Sequence, residues 1–301
     1  MKLVVAGASG FIGSALIPRL LENGHTLTLL TQSSPRDSST PKKRWLYWTP
    51  GVAGDWQMAI EGADGVINLA GEPIAKRWSE NQKRKIRHSR LKTTSSLIEA
   101  IGKAKEKPVF LLSASAVGYY GPRGDEIINE AAAPGKDFLA SVCREWEAEA
   151  QKAESFGIRT IRLRTGVVLG RGGGALVKMV PPFKFFVGGP LGSGTQWMSW
   201  IHLEDEVSLI LYLMENYEAA GPFNATAPNP VQMKEFCRTL GKVMGRPCWA
   251  PVPAFALRLM VGEMADMLLT GQRVIPAAAQ KLGYEFRYPN LYNALRACMP
   301  L

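Results

Sequence analysis

Residues 3–13 read LVVAGASGFIG. A short apolar run passes directly into Gly7, Gly10 and Gly13, spaced Gly-x-x-Gly-x-x-Gly. Leu3-Val4-Val5 suits a strand buried on both faces. Gly7 permits a tight turn, Gly10 lets backbone approach a pyrophosphate, and Gly13 lets the next helix pack close to the strand. The stretch from Ile12 to Leu21 reads as that helix. Its first residues, Phe11, Ile12 and Gly13, offer free N–H groups and a positive dipole end to phosphates. Such a triplet is informative only between a strand and a helix, which is its context here. The expectation is a dinucleotide site at the head of an α/β domain.

Strand and helix patterns alternate onward, as in a parallel sheet with helices on both faces. Thr26 to Leu30 reads as strand two, Gln32 to Lys43 as a polar loop, and Leu46-Tyr47-Trp48 as a third strand. Gly65 to Gly71 reads as a buried strand with a polar end. A long helix is expected from about Ser79 to Lys103, a strand over 109–113, a helix over 137–156 and a strand over 160–163. Residues 171–200 are rich in glycine, proline and aromatics, with little periodicity. A loop of that length inside a compact domain is usually functional or disordered, and its aromatics argue against disorder. Helices follow at Asp205 to Tyr217 and within Pro230 to Gly245. The division expected is a cofactor-binding domain at 1–170, with some later segments returning to it, and a C-terminal lobe at 171–301.

The chain has 301 residues, is 46% hydrophobic and 21% charged, and carries a formal charge of +10. No apolar run approaches the roughly 20 residues that span a bilayer, and the N-terminus does not read as a signal peptide. Cys143, Cys237, Cys248 and Cys298 show no metal or redox spacing, so they read as reduced thiols of a cytoplasmic protein with no metal site. The basic excess concentrates in 42–44 and 83–90. Either it is a solvated face or it attracts an anionic cofactor or substrate. No nucleic-acid module is recognisable. The partner expected is a small-molecule substrate, sugar-like or anionic, with neither nucleic acid nor membrane.

Several phrases match one family. They are GASGFIG (7–13), NLAGEPIAKRW (68–78), SASAVGYYG (113–121), RTGVVLGRGGGAL (164–176), GGPLGSGTQWMSWIHLED (188–205), NATAPNPV (224–231) and GQRVIPAAAQKLGYEFRYP (271–289). Together they resemble the atypical extended short-chain dehydrogenases/reductases, in the epimerase-family subgroup with its own C-terminal domain. The resemblance covers essentially the whole chain. It implies a Rossmann-type doubly wound parallel sheet with a smaller C-terminal substrate lobe, and a bound NADP(H). It implies no particular substrate.

Strand two should end beside the adenosine ribose, where a carboxylate suits NAD and basic or donor groups suit the 2′-phosphate of NADP. Here Thr31, Gln32 and serines precede any carboxylate, and Arg36 or Lys42 can supply charge. NADP is favoured over NAD, although many NADP-binding relatives carry arginine at the position of Gln32. Asn68, Leu69, Ala70 and Gly71 should line the adenosine side. By resemblance, Lys85 and Arg90 reach the cofactor, and Val168 meets its nicotinamide end.

Active members of the superfamily use a serine with Tyr-x-x-x-Lys on one helix face. The lysine and cofactor lower the tyrosine's pKa for proton exchange. This chain has no Tyr-x-x-x-Lys; alignment puts Leu139 and Cys143 at those places. Ser115, ahead of Ser113, is the candidate serine. Tyr119 or Tyr120 can replace the missing acid, unless both are substrate-wall aromatics, and Glu72 is a possible base. Arg77, Trp78, Phe183, Gln196, Trp197 and Trp200 are candidates to surround a planar or sugar-like ligand, with core packing as the alternative for the tryptophans. His202, before a helix, is either a site residue or a packing and capping group. Two functions remain open: an NADP(H)-dependent oxidoreductase or nucleotide-sugar epimerase-like protein with an altered acid/base set, and a catalytically silent NADP(H)-binding sensor or partner-binding protein.

Overall fold

The computed structural model describes residues 1–33 and 40–299. The first half runs β1 (Lys2–Ala6), α1 (Phe11–Glu22), β2 (Thr26–Thr31), β3 (Lys43–Tyr47), β4 (Gly65–Asn68), α2 (Glu80–Lys103), β5 (Phe110–Ala116), β6 (Ile127–Ile128), α3 (Phe138–Gln151) and β7 (Arg159–Thr165). Then come β8 (Val167–Gly170), β9 (Gly173–Gly174), α4 (Leu176–Lys184), β10 (Trp197–Met198), β11 (Trp200–His202), α5 (Leu203–Glu215) and β12 (Gly221–Ala225). The chain ends with β13 (Val231–Gln232), α6 (Met233–Met244), α7 (Ala254–Val261), α8 (Met264–Leu269), β14 (Arg273–Val274), α9 (Ala277–Lys281) and α10 (Leu291–Cys298).

Seven strands form one sheet in the order β12-β7-β5-β4-β1-β2-β3. All their pairings are parallel. The chain winds outward from β1 through β2 to β3, then returns to β4 and winds the other way. The crevice therefore opens beyond Ala6 and Asn68, which are paired at the ends of β1 and β4. That reversal is where doubly wound sheets bind ligands.

Alternation along β1 supplies both faces. Leu3 and Val5 pack into the core beside Leu16 and Leu20 of α1 and Ile210 and Leu213 of α5. Val4 and Ala6 pack on the other face with Leu97 and Ile101 of α2. Helix α5 lies against α1, and β12 is an edge strand of the main sheet, so residues 203–225 complete the sheet and one of its covering layers. A third cluster, including Leu176, Phe183, Trp200, Phe236, Leu240 and Leu295, forms the core of the C-terminal lobe.

Helices α2 and α3 begin close to where they are expected, each behind a capping side chain. Ser79 caps α2 through Gln82 N, and Asp137 caps α3 through Ala140 N. Within 171–200 the structure contains α4, which the sequence reading missed. Pro181 and Pro182 lie inside it. They fall in its last turn, where each removes an i→i−4 bond to Val177 or Lys178, so α4 ends within two residues of them. Strand three also begins earlier than expected, at Lys43.

Candidate functional site

The phosphate end is built from close backbone contacts. Gly7 has φ +84, and a Cβ there would lie 2.6 Å from the carbonyl carbon of Leu69. A Cβ on Gly13 would lie 2.3 Å from Gly7 O. The turn after β1, the start of α1 and the end of β4 thus meet as backbone. Gly10 is the N-cap of α1, makes no side-chain cap and precedes a first turn without an acid. The first N–H groups of a helix have no intrahelical acceptor. Those of Phe11, Ile12 and Gly13 stand at an uncapped positive helix end, which fits a pyrophosphate.

The end of β4, expected to meet adenosine, is shaped by buried polar groups. Asn68 is fully buried; its Nδ2 donates to Thr94 Oγ1 at 3.0 Å, and its Oδ1 accepts from Ala70 N at 3.2 Å. Leu69 N donates to Ala6 O at 2.9 Å. Thr31 Oγ1 accepts from Ser33 N at 3.1 Å, and Gln32 is exposed. Ser34, Pro35, Arg36 and Asp37 lie outside the described residues. Lys42 is placed away from the ribose end: its carbonyl accepts from Leu27 N, near the start of β2. Four residues of strand, about 13 Å, separate that point from Thr31.

Arg90 has a bracing role. Its Nη1 donates to the carbonyls of Glu72 and Ile86, each at 3.0 Å, and its guanidinium lies 5.1 Å from the Trp146 ring centre. The loop from Gly71 to Glu72 is thereby fixed to α2. Lys85 is exposed near Glu72. Lys76 Nζ donates to Glu72 Oε1 at 2.6 Å and holds that carboxyl below the usual range.

At the reaction end, Leu139 and Cys143 face the end of β5 as the alignment requires. A Cβ on Gly118 would meet Leu139 Cβ at 3.3 Å and Cys143 Sγ at 3.9 Å. Burial pushes the Cys143 thiol up to about 12. One further turn along the same helix face is Glu147. Ser115 Oγ donates to Glu147 Oε1 at 2.7 Å. Arg164 grips Glu147 with two bonds of 2.8 Å, and both side chains are buried. Sequence reasoning missed this pair; the signal available was an acid eight residues after Leu139 on one helix face.

The two tyrosines differ. Tyr120 is fully buried; its hydroxyl donates to Asn224 Oδ1 at 2.7 Å and accepts from Arg164 Nη1 at 2.8 Å. Burial pushes its pKa up to about 12. Tyr119 is half-buried, and its ring lies 3.6 Å from the Arg164 guanidinium carbon. Among the described residues its hydroxyl makes no hydrogen bond.

The remaining candidates scatter. Trp78 stacks edge-on with Phe138, 5.4 Å between ring centres, and forms a bridge with Gly262. Arg77 is exposed beside Gly262. Gln196 donates to the carbonyls of Leu191 and Leu268, while its Oε1 is buried without a partner. Trp197 donates to Asp125 Oδ1 at 2.6 Å. Phe183 and Trp200 lie in the core of the C-terminal lobe, where apolar contacts occupy them. His202 is buried, caps α5 by accepting from Glu204 N at 3.2 Å, and stacks on Tyr288. Burial pulls its pKa down. Val168 is half-buried in β8 and pairs with Ile201. Among the described residues no cluster of His, Cys, Asp or Glu is suited to a metal, the four cysteines are free, and no helix is long and apolar enough to cross a membrane.

Comparison with known proteins agrees with this architecture. The model of the NAD dependent epimerase/dehydratase family matches residues 3–226, and a domain of unknown function, DUF1731, matches 252–298. The epimerase family protein SDR39U1 homolog of Arabidopsis thaliana, described as chloroplastic, is 45% identical over 99% of this chain and 87% of its own length. Epimerase family protein YfhF of Bacillus subtilis is 41% identical over 98% and 97%. The crystal structure of human epimerase family protein SDR39U1 with NADPH superposes with a TM-score of 0.87, at 33% identity over 99% of both chains. The chain therefore belongs to the NAD dependent epimerase/dehydratase family.

Proposed function

We propose that this chain binds NADP(H), in preference to NAD(H), across the ends of β1 and β4, and uses it in oxidoreductase chemistry on a small sugar-like or anionic substrate. The uncapped, acid-free start of α1 beside the glycine turn carries the binding half of this reading. The absence of a carboxylate from Thr31 to Ser33 and the NADPH on the human relative support the choice of NADP. Bound there, the nicotinamide supplies or accepts a hydride. The two α3 positions aligned with tyrosine and lysine supply no proton carrier, since Leu139 has no acidic hydrogen and the Cys143 thiol is held neutral by burial, and the Glu147 carboxylate is engaged by Arg164. We assign the proton to the free hydroxyl of Tyr119, with Ser115 as the positioning group. Ser115 turns its own hydrogen to Glu147, which leaves its lone pairs to accept from a substrate hydroxyl.

The test is consumption of NADPH in the presence of a panel of carbonyl compounds and nucleotide sugars, followed at the nicotinamide band. Tyr119→Phe should lower any turnover found by about 100-fold or more, with NADPH binding intact. Leu139 and Cys143 also favour a second reading, a silent NADP(H)-binding sensor or partner-binding protein. Binding without turnover on every compound would decide for it.

A further inference from the structure

The C-terminal lobe exposes large apolar side chains that no function described above uses. Phe185, Trp249, Phe255, Leu259 and Met260 are 66% to 78% exposed. They come from two segments that run side by side. Trp249 Nε1 donates to Phe186 O at 2.8 Å, Trp249 N donates to Gly188 O, and Val252 N donates to Pro190 O. Helix α7 follows directly and buries only Leu257. Phe255 and Leu259, four apart, share its outer face. Phe186 is the only non-glycine residue with positive φ among the described residues, at +63. A bulky side chain disfavours that conformation, and here it lies between two exposed neighbours, Phe185 and Val187.

Charge separates the possible occupants. Residues 171–203 and 236–257 contain no Asp or Glu, but contain Arg171, Lys178, Lys184, Arg238, Lys242 and Arg246. At the far end of α7, Arg258 is paired with Asp266 at 3.3 Å and Glu263 with Lys83 at 2.8 Å. The Arg246 guanidinium lies 4.4 Å from the Phe186 ring centre. A second copy would oppose like charges across the Phe185–Trp249 end of the face, where Lys184 and Arg246 stand. The Trp249 indole N–H is already bonded to Phe186 O. Helix α7 has no side-chain cap, so its first N–H groups, from Ala254 to Ala256, are left for lipid headgroup oxygens to satisfy.

We propose that this face docks on an anionic lipid surface, with Phe185, Trp249, Phe255 and Leu259 inserted at the interface and the cations at headgroup level. This is interfacial adsorption, which needs no spanning helix. The sequence expectation of no membrane partner concerned a spanning segment, and among the described residues no helix is long and apolar enough to be one.

The test is co-sedimentation of the full chain with phosphatidylcholine vesicles, and with vesicles of phosphatidylcholine and phosphatidylglycerol in equal parts. Binding should occur on the anionic vesicles and weaken with salt. Phe255→Ser and Leu259→Ser should each lower partitioning about tenfold. Tyr217→Ser, exposed at the end of α5, should leave it unchanged. All three side chains are exposed, and an unchanged thermal melt shows that the fold is retained. No binding to anionic vesicles, or binding that the α7 variants leave intact, would overturn the proposal. So would a dimer in sedimentation analysis that Phe255→Ser dissociates while vesicle binding is absent.

Discussion

Ser115 Oγ donates to Glu147 Oε1 across 2.7 Å, and Glu147 in turn receives both arms of Arg164. The serine at the end of β5 is therefore tied to α3 by a carboxylate one turn beyond the residues that replace tyrosine and lysine. The hydrogen bond to a charged group is worth about 1.5–3 kcal/mol. Ser115→Ala should lower the denaturant midpoint accordingly and lower any turnover, with NADPH affinity little changed.

Removing one partner of the buried pair should cost more. Glu147→Ala leaves the Arg164 guanidinium uncompensated among Tyr119, Tyr120 and Asn224. Breaking a buried pair in this way costs about 3–5 kcal/mol. Chemical denaturation checks this, and a Glu147→Leu/Arg164→Met double variant should recover much of the loss. A single variant as stable as the parent would mean that the pair is solvated.

The glycines separate folding from binding. Gly13→Ala drives a Cβ into Gly7 O and should destabilise the chain by about 1–3 kcal/mol. At Gly10 a Cβ would find only Gly7 O, at 3.3 Å. Gly10→Ala should cost about 1 kcal/mol or less in stability yet weaken NADPH binding by about tenfold or more, because its methyl stands where phosphate approaches. Thermal melts paired with NADPH titration distinguish the two.

Glu206, in the first turn of α5, is fully buried; Thr165 donates to its Oε1 at 2.8 Å, and its Oε2 has no partner. Burial pushes its pKa from 4.5 up to about 8. The folded state therefore holds a proton that the unfolded chain releases between these values. Its contribution is full below about 4.5 and is lost as pH rises through about 8, by up to about 1.4 kcal/mol per pH unit. Glu206→Gln should remove that slope from a series of denaturation curves and raise stability above neutral pH.

The cofactor end was legible because its conformation is local. Gly7 and Gly13 are dictated by a turn and a close helix, and both signals lie within a dozen residues. The starts of α2 and α3 are local in the same way, since Ser79 and Asp137 cap them within three residues. The reaction end was not legible, because Glu147, Arg164, Tyr120 and Asn224 meet only after β5, β7 and β12 align. Aromatic type was equally uninformative about burial. Trp200 is in the core and Trp249 is largely exposed, although both follow glycine- and proline-rich stretches. Helix α4 was hidden by prolines confined to its last turn.

The most direct measurement is calorimetric titration of the purified chain with NADPH and with NADH. The expected result is saturable binding of one NADPH per chain, clearly tighter than NADH and weakened by Gly10→Ala. Equal affinity for the two would contradict the assignment of NADP, and no binding of either would contradict the dinucleotide site itself.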